Sequence, residues 1–212
     1  MGSFCGWSGR GLSSDMSQRA ITTMLKSSGG TTPGQSESDY DEAGALGVRE
    51  GLYATHYLNQ DGIRAAIVGS PTWDDRELVE CAKKHGAAAA LIKAYRDFGK
   101  DLLSQLHGSF SLAILDGDKA LVAVDRIGIR SLTYALREGV FVFSTSTASV
   151  VRHPRVNQRI DPQAIFNYLY FHDIPSPGTI YEGVEKLLPA QYVQFRNGQL
   201  EKGYYWQLHY DS

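Results

Sequence analysis

Between Gly108 and His153 apolar and polar positions alternate with a period of two. Phe110, Leu112 and Ile114 share one face of residues 109–115, the pattern of a half-buried strand. Gly117 beside Asp116 supplies the positive φ of a tight hairpin, and residues 120–124 run back. After Asp125-Arg126-Ile127-Gly128-Ile129-Arg130 comes a third apolar run, residues 140–143, expected to join the first two through short local links. Residues 4–9 alternate bulky and small side chains like a first strand, and Asn59-Gln60-Asp61-Gly62 turns a hairpin between residues 52–58 and 63–68. Asn197-Gly198 turns the last one, between 191–195 and 200–206.

Helical spacing sets in elsewhere. Residues 15–26 place Ile21, Met24 and Leu25 on one side behind Ser14 or Asp15 as cap. Residues 74–85 and 87–98 form two helices parted near Gly86, the second with Leu91, Ile92 and Tyr95 in register. Asp161-Pro162 is an N-cap followed by proline, opening a helix striped by Ala164, Ile165, Tyr168 and Leu169 and ended by Pro175 and Pro177. Residues 27–44 are polar and rich in breakers, the composition of a long mobile loop. Hairpins interrupted by helices predict two stacked, mainly antiparallel sheets with helices outside.

At 212 residues and 42% hydrophobic, residues 1–212 suffice for one large domain. A formal charge of −2 leaves no nucleic-acid footprint. No run of 18 apolar residues spans a membrane, and Cys5 and Cys81, without a leader pattern, fit a reducing cytoplasm. His107, His153 and His172 lack ligand spacing, so no metal and no cofactor is expected.

Residues 106–114, 125–132 and 143–145 resemble the amino-terminal glutaminase domain of asparagine synthetases. Ile160-Asp161-Pro162, residues 175–180, Lys186-Leu187 and Tyr205-Trp206 follow in that family's order. The likeness is strong over residues 100–206 and one of layout over 1–99. It implies an α+β fold, the four-layer αββα sandwich of N-terminal-nucleophile hydrolases. Relatives of this kind include β-lactam synthetases and lasso peptide cyclases. It also implies an ATP-dependent synthetase domain as partner, whose nucleotide loop is not expected within residues 1–212: Ser28-Gly29-Gly30 is continued by Thr31-Thr32-Pro33.

The resemblance assigns candidate roles. Cys5-Gly6 is similar to the Cys-Gly that opens class II glutamine amidotransferases, where the free α-amine of the first residue, with a pKa of roughly 7.7 to 8.0, takes the thiol proton. The nitrogen of Cys5 is an amide, so Cys5 serves as nucleophile only if residues 1–4 are removed; otherwise it is a buried thiol of a first strand. Arg49 stands where the family holds the glutamine carboxylate by a two-pronged contact, or is an exposed arginine at a strand start. Val68-Gly69 replaces the Asn-Gly oxyanion hole, leaving one backbone donor at Gly69. Ala87 stands where an Asp reads the substrate amine. Asp125 and Arg126 read as turn-formers before Gly128.

Three functions follow from these residues. The first is a degenerate glutaminase-like domain of an amide-forming enzyme, working with an ATP-dependent synthetase domain or protein. The second is an active glutaminase once residues 1–4 are cut away. The third is a non-enzymatic module binding a peptide or partner. An apolar face is expected around the last hairpin, where a synthetase domain would join.

Overall fold

The computed structural model describes residues 2–28 and 34–208. Residues 29–33, the centre of the expected loop, lie outside them.

In chain order the elements are β1 (Ser3–Ser8), α1 (Ser14–Ser28), β2 (Ser36–Asp41), β3 (Gly44–Arg49), β4 (Thr55–Gln60), β5 (Ile63–Trp73), α2 (Arg76–His85) and α3 (Ala87–Phe98). There follow β6 (Leu106–Asp116), β7 (Lys119–Val124), β8 (Thr133–Arg137), β9 (Val140–Ser144), α4 (Thr147–Val150), α5 (Pro162–Phe171), β10 (Glu185–Lys186), β11 (Gln191–Arg196) and β12 (Gln199–Tyr204). One six-stranded sheet runs β10-β8-β9-β1-β3-β2 and the other β12-β11-β7-β6-β5-β4. Every named strand pair is antiparallel.

The inward faces interlock. Phe4, Leu46, Phe141 and Phe143 of the first sheet meet Val68, Ala113, Val122 and Phe195 of the second in one buried cluster, with Phe141 stacked on Phe195 at 5.7 Å. Outside the first sheet, α1 contributes Ile21, Met24 and Leu25 to a cluster with Cys5, Trp7 and Val150. Outside the second, α2 and α3 pack Leu78, Leu91 and Ile92 against Trp73, Phe110 and Leu112. These are the four expected αββα layers. Local chemistry agrees with them: the Asp75 carboxylate accepts from Glu77 and Leu78 N–H at the start of α2, and that of Asp161 accepts from Gln163 N–H at the start of α5.

Three expectations are corrected. The apolar run at Val140 does not join the sheet of β6 and β7; β9 pairs with β1 and β8 in the other sheet. The reason is the intervening turn, built on the Asp125 carboxylate, which is no two-residue hairpin and carries the chain between sheets. The second half of the expected loop is strand β2, an edge strand laid along β3 and turned by Asp41, whose carboxylate accepts from Ala43 and Gly44 N–H. Polar Ser36-Glu37-Ser38 suits an edge, where charge discourages pairing with another chain. Finally, α5 buries Ala164 alone, while Ile165, Phe166, Tyr168, Leu169, Tyr170 and Phe171 stand exposed. The apolar face is therefore on α5. The last hairpin instead carries the pairs Lys100–Glu201 and Lys202–Glu185.

Candidate functional site

Beside the start of β1 an open cavity of about 470 Å³ is lined by Gly2, Ser3, Ser28, Tyr53, Val68, Ser111, Ile129, Arg130, Ser131, Thr145 and Ser146. Ser3 comes from the start of β1 and Gly2 from just before it, Val68 and Ser111 from paired positions of β5 and β6, and residues 129–131 from the turn after β7. That turn is held by the Asp125 carboxylate. It is 1% exposed and accepts hydrogen bonds from the backbone N–H groups of Phe110, Ile127, Ile129 and Arg130 at 2.9 to 3.3 Å. The reading of Asp125 as a turn-former matches this geometry.

Cys5 is not at the cavity. Successive strand residues point to opposite faces, and Phe4 takes the inner one, so the Cys5 side chain faces α1. It is fully buried beside Trp7, Ile21 and Met24. Burial pushes its thiol up to about 12, against a smaller downward pull from a hydrogen bond with Ser149. At pH 7 the neutral thiol is therefore strongly favoured over the thiolate. Gly2, just before β1, lines the cavity together with Ser3, and at Gly2 a side chain has no room: a Cβ there would stand 2.2 Å from Thr55 Oγ1 and 2.6 Å from the Tyr53 carbonyl.

The other expected contacts are also redirected. The Gly69 N–H donates to the Ala54 carbonyl at 3.0 Å, and its φ of +125° lets the backbone lie against Ser109, whose carbonyl would be 2.2 Å from any Cβ. The donor left over from the Asn-Gly pair is thus already engaged. Arg49 ends β3 rather than starting a strand, and its Nη1 lies 3.5 and 3.4 Å from the carbonyls of Leu25 and Lys26. These belong to the last turns of α1, where a cation complements the helix terminus. Arg49 does not line the cavity, whereas Val68, 2% exposed, does. Ala87 is no wall of it: this residue packs with Trp73 and Leu78 on the outer side of the second sheet.

Sequence reasoning missed Arg130. Its guanidinium carbon lies 3.5 Å from the centroid of the Tyr53 ring, and its Nε is buried without a hydrogen-bond partner. The signal was in the motif: an aspartate whose two oxygens hold the N–H groups at 127, 129 and 130 forces the chain to turn at Arg130. Arg126, by contrast, lies under Trp206 at 5.8 Å and 3.5 Å from His107 Nε2, which is 2.6 Å from Asp74. Among the described residues no three His, Cys, Asp or Glu side chains group to hold a metal ion. No helix among them is long and apolar enough to cross a membrane.

Residues 78–206 match the family described as glutamine amidotransferase domain. The glutamine-hydrolysing asparagine synthetase 3 of Bacillus subtilis is 26% identical over 121 residues, 56% of this chain and 20% of that protein. The putative glutamine-hydrolysing asparagine synthetase 2 of Methanocaldococcus jannaschii is 28% identical over 124 residues, 56% of this chain and 24% of that protein. The chain therefore spans 20% to 24% of the length of these two relatives. Among solved structures, the allosteric regulatory enzyme of purine biosynthesis superposes with a TM-score of 0.60 at 13% identity, covering 98% of this chain and 50% of the other, a likeness of fold.

Proposed function

The chain belongs to the glutamine amidotransferase domain family, and from that premise we propose that it is a glutaminase-type domain of an asparagine-synthetase-like, amide-forming enzyme that does not itself hydrolyse glutamine. The observation that carries this reading is the placement of Cys5, whose thiol lies across β1 from the cavity in a closed core. A thiol nucleophile must be ionised and within reach of the substrate carbonyl. Cys5 is neither.

Removal of residues 1–4 does not repair this arrangement. Phe4 is fully buried, and its carbonyl accepts from Thr145 N–H at 3.1 Å and Ser144 Oγ at 2.9 Å. Cutting after Phe4 would take two of the six residues of a central strand with it and leave Cys5 facing α1. The engaged Gly69 N–H and the apolar Val68 add to the loss, since removal of one oxyanion donor typically costs about 3 to 4 kcal/mol of transition-state stabilisation.

The expected partner is the ATP-dependent synthetase portion that asparagine synthetases carry beyond this domain, with 76% to 80% of the two relatives outside the stretch matched. α5 supports this choice. Its sequence Pro-Gln-Ala-Ile-Phe-Asn-Tyr-Leu-Tyr-Phe has no charged residue, and a helix apolar on several sides belongs inside a larger body. Ammonia formation from glutamine tests the functional reading. The wild-type chain and Cys5→Ser should give the same background; release by the wild type that Cys5→Ser abolishes would overturn it.

A further inference from the structure

We propose that the cavity beside β1 binds a small carboxylate on an apolar body with no free ammonium next to it, and that Arg130 is the residue that recognises the carboxylate. The proposal rests on the reading that this site no longer processes glutamine, and it names what the site takes instead.

The charge balance of the cavity is the first ground. Among the described residues Arg130 is its one charged lining residue, and no Asp or Glu lines it. Among the described residues the Arg130 guanidinium has no carboxylate or carbonyl partner, and its Nε is buried unpaired. A planar guanidinium with unused donors matches a carboxylate in geometry as well as in charge. The Tyr53 ring lies beneath it, with 3.5 Å between its centroid and the guanidinium carbon, and this contact helps to hold the guanidinium in place. Ser131 and Ser146 line the same cavity, among the described residues no hydrogen bond engages their hydroxyls, and each hydroxyl can donate to an anion.

The remaining walls decide between classes of carboxylate. A free amino acid brings an α-ammonium, which would lose its hydration here without finding an acceptor of opposite charge. Val68, Ile129 and the Tyr53 ring offer apolar surface to the rest of the ligand. About 470 Å³ lies within the size range of small-molecule sites and leaves room for a body of several carbons. Two sources share this chemistry: a free carboxylic acid without an amine, and the carboxylate end of a peptide, where an amide replaces the ammonium.

The test titrates the full chain with 4-methylpentanoate for the first source and N-acetyl-leucine for the second. Leucine, glutamine, N-acetyl-leucinamide and inorganic phosphate are run beside them. One of the two acids should raise the melting temperature saturably and shift the amide resonances of Ser131, Ser146 and Val68. The zwitterions and the neutral amide should do neither. Arg130→Gln should weaken binding about 10- to 100-fold, the loss expected for a hydrogen bond to a charged group, and Arg130→Lys less. A response to 4-methylpentanoate alone assigns a free acid, and one to N-acetyl-leucine alone a peptide end. The proposal is overturned if neither acid binds, if shifts fall away from the cavity, if Arg130→Gln binds as well as wild type, or if leucine or phosphate binds as tightly. A silent titration leaves the non-hydrolysing reading standing, and ammonia release would remove that reading while leaving the binding result intact.

Discussion

The buried carboxylate of Asp125 accepts the backbone N–H of Arg130 at 2.9 Å, and that bond places the guanidinium at the cavity. Three further N–H groups, of Phe110, Ile127 and Ile129, depend on the same side chain. Asp125→Ala strips four buried or half-buried donors of their acceptor. Each such donor costs about 1 to 3 kcal/mol when left unsatisfied, so a loss of at least about 3 kcal/mol is expected after partial rescue by water. Urea unfolding measures it. A change below about 0.5 kcal/mol, the range of ordinary surface substitutions, would show that the turn stands without Asp125.

Leu169 is 71% exposed on α5, so Leu169→Asp should leave the unfolding free energy within about 0.5 kcal/mol of wild type. It should also lower the binding of an apolar dye and any concentration-dependent association, both read on the isolated chain. A loss above about 2 kcal/mol would instead place Leu169 in a packed interior.

His153 is 1% exposed, its ring 4.9 Å from that of Trp7, with Nδ1 accepting the Arg155 N–H. Burial, then the charge of Arg155, lowers its pKa from 6.5 to about 4. A folded pKa below the unfolded one means that the unfolded chain binds the extra proton. Stability is therefore full above pH 6.5 and falls as pH drops from 6.5 towards 4. The expected loss across that window is roughly 2 to 3 kcal/mol. His153→Phe should flatten this part of the profile, measured as the difference between the two proteins so that carboxylate titration cancels. Parallel profiles would contradict the assignment.

The layers were legible because each rests on local chemistry: period-two runs for strands, Asp75 and Asp161 as caps, Asn197-Gly198 as a turn with both residues at positive φ. The sheet assignment of β9 was not, since the Asp125 turn decides it through side-chain bonds that no spacing announces. The site was half legible. Val68, which stands in place of the family's Asn, does line the cavity, and the reading of Cys5 as a buried thiol of a first strand agrees with its parity in β1, whereas its motif alone pointed to a nucleophile. A one-residue offset in a strand reverses the face, and with Phe4 committed to the inner core, Cys5 had to face α1. Arg49 and Ala87 were placed by family order across a polar stretch and a helix start, where sequence distance says little about proximity.

The central claim, that Cys5 is a core thiol and not a glutamine nucleophile, is tested most directly by a glutamine analogue whose side-chain amide is replaced by an electrophilic diazoketone. Such a reagent alkylates a thiolate that lies where the glutamine carbonyl binds. After incubation of the native chain, intact mass and peptide mapping read the outcome. The account predicts no adduct on Cys5 in the folded protein, with alkylation appearing only once the core is opened by denaturant. A stoichiometric adduct on Cys5 of the native chain, competed away by glutamine, would contradict it.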